Sequence, residues 1–291
     1  MSFWTDALGA EVRYHDAGGW RTRVVEAGQG EPVIMMHGLS GHAESFIRNV
    51  VPLAQAGFRA ISMDAIGHGY SAKPLDGTYH SPLFVEHLKR FMDAIGARKA
   101  HLVGQSLGGW TAMNFAQKYP DRVRSIISVT GAGILLEDEA SKKKSEEIHK
   151  QVQTVTQNAL QTPTREGVRK RLEWLMLDPK SVTDELVETR YTIFMLPDSR
   201  QAMPKMVQEQ PGEGNRAHLI REKDLAALSV PTYVIWTDHN PTMPASIAER
   251  AAKIIPGAKY SLVEGAGHWP QFEKPEATNK LLVEFLKQVR S

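Results

Sequence analysis

Apolar residues recur along this chain with two different periods, and the order in which those periods occur predicts its elements. Glu11–Asp16 and Arg21–Ala27 are short alternating runs split by Gly18-Gly19, the pattern of an antiparallel hairpin. Pro32–Met36 is continuously apolar, as a strand buried on both faces must be. A helical stretch over 44–56 leads through Gly57 to a second such strand at 58–63. A helix over 82–95 precedes a strand at 100–103, a helix over 110–119 follows it, and Val123–Val129 reads as a further strand. After Gly133 the rhythm changes. Residues 134–224 show helical periodicity and no convincing strand. A strand at 232–236, a helix from 244, a strand at Lys259–Val263 and a helix from 275 then restore the alternation. Strands alternating with helices predict an α/β fold, a mostly parallel sheet covered on both faces. Residues 1–133 and 225–291 are therefore expected to form the core, and 134–224 a helical cap (lid) inserted over one end of it.

Composition narrows the function classes. The 291 residues suit one α/β domain with an insertion, and 42% hydrophobic content is ample for a core. Formal net charge is +2, so there is no basic footprint for nucleic acid. The one cationic run, Lys142-Lys143-Lys144, is followed by Glu146 and Glu147 and reads as a solvated helix face. With no cysteine, disulfides, thiolate metal sites and cysteine nucleophiles are excluded. The N-terminal residues lack a signal-peptide pattern, and no apolar run is long enough to span a bilayer. The expectation is a soluble, cytoplasmic protein acting on a small-molecule substrate, with no nucleic-acid or membrane partner.

The candidate chemistry begins at Gly104-Gln105-Ser106-Leu107-Gly108, which sits between the strand at 100–103 and the helix at 110–119. A serine on so sharp a strand-to-helix turn is thrust outward, and only glycine tolerates the crowding two residues on either side. The turn aims the first free N–H of the following helix at the space above the hydroxyl. Ser106 thus reads as a nucleophile and Leu107 N–H as half of an oxyanion hole. A serine hydroxyl needs a base. Of eleven histidines, His268 is the candidate, because Glu264-Gly265-Ala266-Gly267-His268 follows the last strand and can fold back over the carboxyl ends of the sheet. His37, His42 and His68, in Gly-rich turns, read as loop-shaping or pocket-lining residues. The second oxyanion donor belongs on the loop Met36-His37-Gly38-Leu39, with Leu39 N–H the best placed.

These motifs resemble those of the α/β-hydrolases over nearly the whole chain: His37-Gly38, Asp64-x-x-Gly67-x-Gly69-x-Ser71, the Ser106 turn and Gly267-His268-Trp269. The resemblance implies an eight-stranded, mostly parallel sheet. More narrowly, Trp269 after the histidine and the stretch from Thr164-Arg165-Glu166-Gly167-Val168 to Leu186-Val187-x-x-Arg190 resemble the meta-cleavage-product hydrolases, which cut carbon–carbon bonds in ring-opened aromatic metabolites. That resemblance implies a 2-hydroxy-6-oxo-dienoate substrate, no metal or organic cofactor, and a homodimer or higher homo-oligomer. An esterase or lactonase would use the same serine and histidine.

Arg190 can be approached from the residues as well. If Thr183 caps a helix, Arg190 falls on the apolar stripe Leu186, Val187, Ile193, Phe194, where a guanidinium needs an anionic partner. A cap carboxylate could supply it; the resemblance implies instead the substrate carboxylate, with Trp174 and Trp269 walling the pocket. The third triad position departs from the family. The loop Trp236-Thr237-Asp238-His239-Asn240-Pro241 places Asn240 where the resemblance implies an aspartate. Asparagine can accept the histidine's Nδ1–H but supplies no charge, and in a serine protease that replacement costs about 10⁴ in kcat. Asp238, two residues earlier, is the alternative acid. A weakly active or inactive ligand-binding homologue also fits an asparagine here.

Overall fold

The computed structural model describes residues 2–160, 163–210 and 212–290. Residues 161, 162 and 211 of the expected cap, and Met1 and Ser291 of the expected core, lie outside them. The main sheet contains β1 (Glu11–Asp16), β2 (Arg21–Ala27), β3 (Pro32–Met36), β4 (Arg59–Met63), β5 (Ala100–Gln105), β6 (Val123–Val129), β9 (Thr232–Thr237) and β10 (Lys259–Val263), in the order β1-β2-β4-β3-β5-β6-β9-β10. β2 runs antiparallel to both β1 and β4, and every other pairing is parallel. The hairpin expected from Gly18-Gly19 is the β1–β2 pair, and it ends the sheet.

The central strands β3, β5 and β6 are buried nearly throughout because helices cover both faces. One apolar layer joins Ile34, Ile61, Leu102 and Ile126 to the helices Ser81–Ala94, Leu107–Lys118 and Ala245–Ile254. The other joins Val33, Met35, Val103 and Ile127 to the helices Ile47–Gln55 and Pro275–Gln288. Adjacent residues of one strand belong to opposite layers, as the pleat requires.

The segment between β6 and β9 is mainly helical: Glu139–Leu160, Arg165–Leu175, Asp184–Met195 and Pro197–Glu209, followed by one-turn helices. The expectation of no strand in 134–224 is corrected in one respect. β7 (Ile134–Leu135) and β8 (Ile220–Arg221) pair in parallel, Ile134 opposite Ile220, and join the two roots of the segment. Two-residue strands are too short to leave a period in the sequence. Thr164 and Thr183 cap their helices, accepting from the N–H of Gly167 and Leu186. Val168, Leu172, Leu186, Val187, Ile193 and Phe194 form a third apolar cluster with Phe3, Trp269 and Phe272, which seats these helices over the histidine loop. Among the described residues no helix is long and apolar enough to cross a membrane.

Candidate active site

Ser106 lies between the end of β5 and the helix Leu107–Lys118 with φ 52° and ψ −116°. A non-glycine residue held there is strained, and the surroundings must enforce it. They do so by crowding. A Cβ at Gly104 would collide with the Gly108 carbonyl, and one at Gly108 with the Met36 carbonyl oxygen of β3. The backbone of Ser106 is fixed on three sides: its N–H donates to the Val129 carbonyl at 3.2 Å, and its carbonyl accepts from Trp110 N–H at 3.1 Å and Ala132 N–H at 3.0 Å. The hydroxyl opens into a cavity of about 150 Å³ whose walls include Leu39, Leu107, Thr242, His268 and, from the helical segment, Thr156, Arg171 and Trp174.

His268 reaches this cavity from a loop pinned along its backbone. Its carbonyl accepts from Thr130 Oγ1 at 2.8 Å and Gln105 Nε2 at 3.2 Å, and its N–H donates to the Leu175 carbonyl at 2.6 Å. Glu273 accepts from the N–H of Gly267 on one oxygen and of Leu177 on the other, at 3.0 and 2.7 Å, so the histidine loop and the helical segment share one carboxylate. The ring is 3% exposed. Burial, with Arg171 nearby, pulls its pKa down to about 3, so the imidazole is neutral and able to accept a proton at pH 7. Among the described residues no hydrogen bond joins Ser106 Oγ to His268, a looseness common before substrate binds.

Of the two candidates for the acid position, Asn240 is the one that meets the imidazole. Asn240 Oδ1 accepts from His268 Nδ1 at 2.9 Å and also from Thr242 N–H and Oγ1, at 3.1 and 3.0 Å. Thr242 Oγ1 itself lies 3.2 Å from Nδ1. The amide oxygen facing Nδ1 puts the ring hydrogen there and leaves Nε2 as the basic nitrogen, the tautomer a general base needs. Asn240 Nδ2 is buried without a partner among the described residues. Asp238, the alternative acid, is not brought to His268. Its carboxylate accepts from Gly265 N–H at 3.0 Å on both oxygens and pairs with His239 at 3.0 Å, so it is spent on holding the turn that precedes the histidine.

Leu39 and Leu107 both line the cavity. Leu107 N–H is the first of its helix and has no intrahelical acceptor. His37, beside Leu39, bonds the Gly38 carbonyl at 2.7 Å and accepts from Ala65 N–H at 3.1 Å. His68 bonds Ile66 and His42 pairs with Glu44, so all three histidines shape loops.

Trp174 and Trp269 are on the cavity wall. Arg190 is buried on the expected stripe, and among the described residues no carboxylate pairs with it. Its Nη2 donates to the Ser40 carbonyl at 2.5 Å and the Ser40 hydroxyl at 3.1 Å, and its guanidinium stacks on Trp269 at 5.0 Å. It stands behind the wall, under the residue after Leu39. Among the described residues, the cation on the wall is Arg171. The periodicity argument applied to Arg190 would have marked it as a second candidate, since Arg171 shares a helix face with Val168, Leu172 and Leu175.

A model of the alpha/beta hydrolase fold matches residues 31–275. The chain belongs to the α/β-hydrolase family. It is 31% identical over 283 residues to a 2-hydroxy-6-oxononadienedioate/2-hydroxy-6-oxononatrienedioate hydrolase of Paraburkholderia phymatum, covering 95% of this chain and 91% of that one. It is 30% identical over 278 residues to a 2-hydroxymuconate semialdehyde hydrolase of Pseudomonas putida, covering 94% and 92%. Among solved structures, a meta-cleavage product hydrolase from Pseudomonas fluorescens IP01 superposes with a TM-score of 0.82 at 27% identity, over 97% of this chain and all of that one. This α/β-hydrolase is thus a relative of the meta-cleavage-product hydrolases along almost its entire length.

Proposed function

We propose that this α/β-hydrolase cleaves a carbon–carbon bond in a ring-opened aromatic acid of the 2-hydroxy-6-oxo-dienoate type. The observation that carries the proposal is the meeting of Ser106, neutral His268 and a buried guanidinium on one small cavity. Ketonisation of the dienol, with a proton added at C5, first gives a 2-oxo group conjugated to C5 through the C3–C4 double bond, so that C5 departs as a carbanion delocalised onto that carbonyl. Ser106 Oγ, giving its proton to His268 Nε2, attacks the 6-oxo carbon. Leu39 and Leu107 N–H receive the developing oxyanion. The C5–C6 bond breaks, its electron pair going to C5, which takes up a proton. Water, deprotonated by His268, then releases the acyl group from Ser106 as a carboxylic acid. Asn240 orients the imidazole throughout but adds no charge to stabilise the imidazolium, so slow turnover is expected.

Support comes from relatives whose names describe this reaction class. The test follows decay of a yellow dienoate chromophore beside hydrolysis of a p-nitrophenyl ester. Loss of chromophore that disappears in Ser106→Ala, with dienoate binding retained, supports the proposal. Ester hydrolysis with a stable chromophore would move the protein to the esterases; unchanged chromophore decay in the variant would remove Ser106 as nucleophile.

A further inference from the structure

An amide at residue 240 poses a problem that a carboxylate does not. Turned end for end about its last bond, a carboxylate presents an oxygen again, so it meets an imidazole correctly either way round. An amide so turned replaces an acceptor with a donor. With Asn240 Nδ2 toward His268, the ring hydrogen would be driven from Nδ1 to Nε2, the nitrogen that has to take the serine proton. Asn240 therefore needs a neighbour that chooses its orientation. Its amino end does not choose, since Nδ2 is buried without a partner among the described residues. What tells one end of the amide from the other acts on Oδ1.

Besides the imidazole, the groups that bond Oδ1 belong to one residue. Thr242 N–H donates to it at 3.1 Å and Thr242 Oγ1 at 3.0 Å. The first bond makes an Asx turn, a side-chain oxygen meeting the backbone two residues on, with Pro241 between them. A backbone N–H can only donate, so the atom it faces has to be the oxygen. The hydroxyl closes a triangle. It donates to Oδ1, which lies 2.9 Å from His268 Nδ1, while its own oxygen lies 3.2 Å from the same nitrogen. With two oxygens facing Nδ1, only a ring hydrogen there satisfies all three groups. The loop that carries them is tied on both sides: the buried Trp236 donates from Nε1 to the Met243 carbonyl at 3.1 Å, and Thr237 Oγ1 donates to the Gly267 carbonyl at 2.7 Å.

Resting on the hydrolase reading of this cavity, we propose that Thr242 is a positioning residue that selects the amide orientation of Asn240 and, through it, the tautomer of His268. The role exists only because residue 240 is an amide; a carboxylate there would have no wrong end to exclude.

That dependence supplies the test. Thr242→Val keeps the backbone N–H and removes the hydroxyl. With p-nitrophenyl butyrate, kcat should fall about 5- to 20-fold, the scale of one lost hydrogen bond, with KM held within about twofold. Thr242→Ala should behave like Thr242→Val, and Thr242→Ser should recover most of the loss. In an Asn240→Asp background, Thr242→Val should change kcat by less than about twofold, because either end of a carboxylate accepts. An equal loss in both backgrounds, or no loss in either, would overturn the proposal. So would a rise in KM with kcat kept, which would make Thr242 a substrate contact on the cavity wall. A second readout needs no turnover: nitrogen NMR of protein labelled in its imidazoles, with His268 identified by the signals missing from His268→Ala. At pH 7 the wild type should carry its hydrogen on Nδ1 with Nε2 bare. Thr242→Val should show a mixture of the two tautomers, and Thr242→Val in the Asn240→Asp background the single wild-type form. A wild type with its hydrogen on Nε2, or an unchanged spectrum in Thr242→Val, would refute the assignment. A His268 tautomer that depends on Thr242, in a protein that hydrolyses neither ester nor dienoate, would uphold the assignment and count against the parent hydrolase reading.

Discussion

The loop after β5 and the loop after β9 serve the same imidazole from opposite ends, yet they are constrained by different means. At Ser106 the backbone leaves no latitude. The positive φ, the glycines packed against neighbouring carbonyls and three backbone hydrogen bonds together fix where the hydroxyl goes. At Asn240 the constraint lies in side-chain hydrogen bonds: Oδ1 gathers donors from His268 and Thr242, while Nδ2 has none to make among the described residues. A backbone constraint holds the turn without help from the Ser106 hydroxyl, but admits no Cβ at the glycines packed against it. A side-chain constraint survives the replacement of a carboxylate by an amide, because geometry is kept and only charge is lost. The amide at residue 240 thus orients the imidazole without adding a charge beside it.

The comparison breaks most sharply at the serine. Ser106→Ala should reduce hydrolysis by about 10⁴-fold or more with no loss of thermal stability, read from single-turnover rates and thermal melts. On the other loop the sign reverses. Asn240→Asp should raise kcat by on the order of 10²- to 10⁴-fold, because the imidazolium formed during reaction gains a counter-charge. The same variant should move the acid limb of kcat/KM. With Asn240, the His268 pKa of about 3 leaves the base neutral, and activity level, down to the lowest pH the fold tolerates. A carboxylate beside Nδ1 favours the protonated ring, so the limb should shift to higher pH. A profile unmoved by the substitution would show that residue 240 is electrostatically remote from the base.

Smaller effects sharpen the same contrast. Gly104→Ala should cost about 3 kcal/mol of stability in denaturant titration, since its Cβ has no space that is not already backbone. Asp238→Ala should lower kcat only a few-fold, through a looser Gly265 turn, with its pH profile unchanged; a loss comparable to that of a catalytic acid would restore Asp238 to that role.

The same distinction explains what the sequence made legible. Long buried strands such as β3 and β5, the Gly18-Gly19 hairpin, the Ser106 turn and the Thr183 cap each impose a residue type at a fixed spacing, and each is present where the spacing placed it. What was not legible depends on which way a side chain turns after packing. Arg171 and Arg190 lie on comparable apolar stripes, and only the assembled helices decide which guanidinium meets the cavity and which holds Ser40. Asp238 and Asn240 are two residues apart on one loop, and only the fold of that loop gives the first to Gly265 and the second to His268. Thr242, which bonds both Asn240 and His268, carries no motif at all.

Covalent labelling with a fluorophosphonate, followed by peptide mass spectrometry, tests the Ser106–His268 pairing without assuming any substrate. One adduct should form, on Ser106, and its rate should fall sharply in His268→Ala. A protein left unmodified, or modified at another serine with Ser106 untouched, would contradict it.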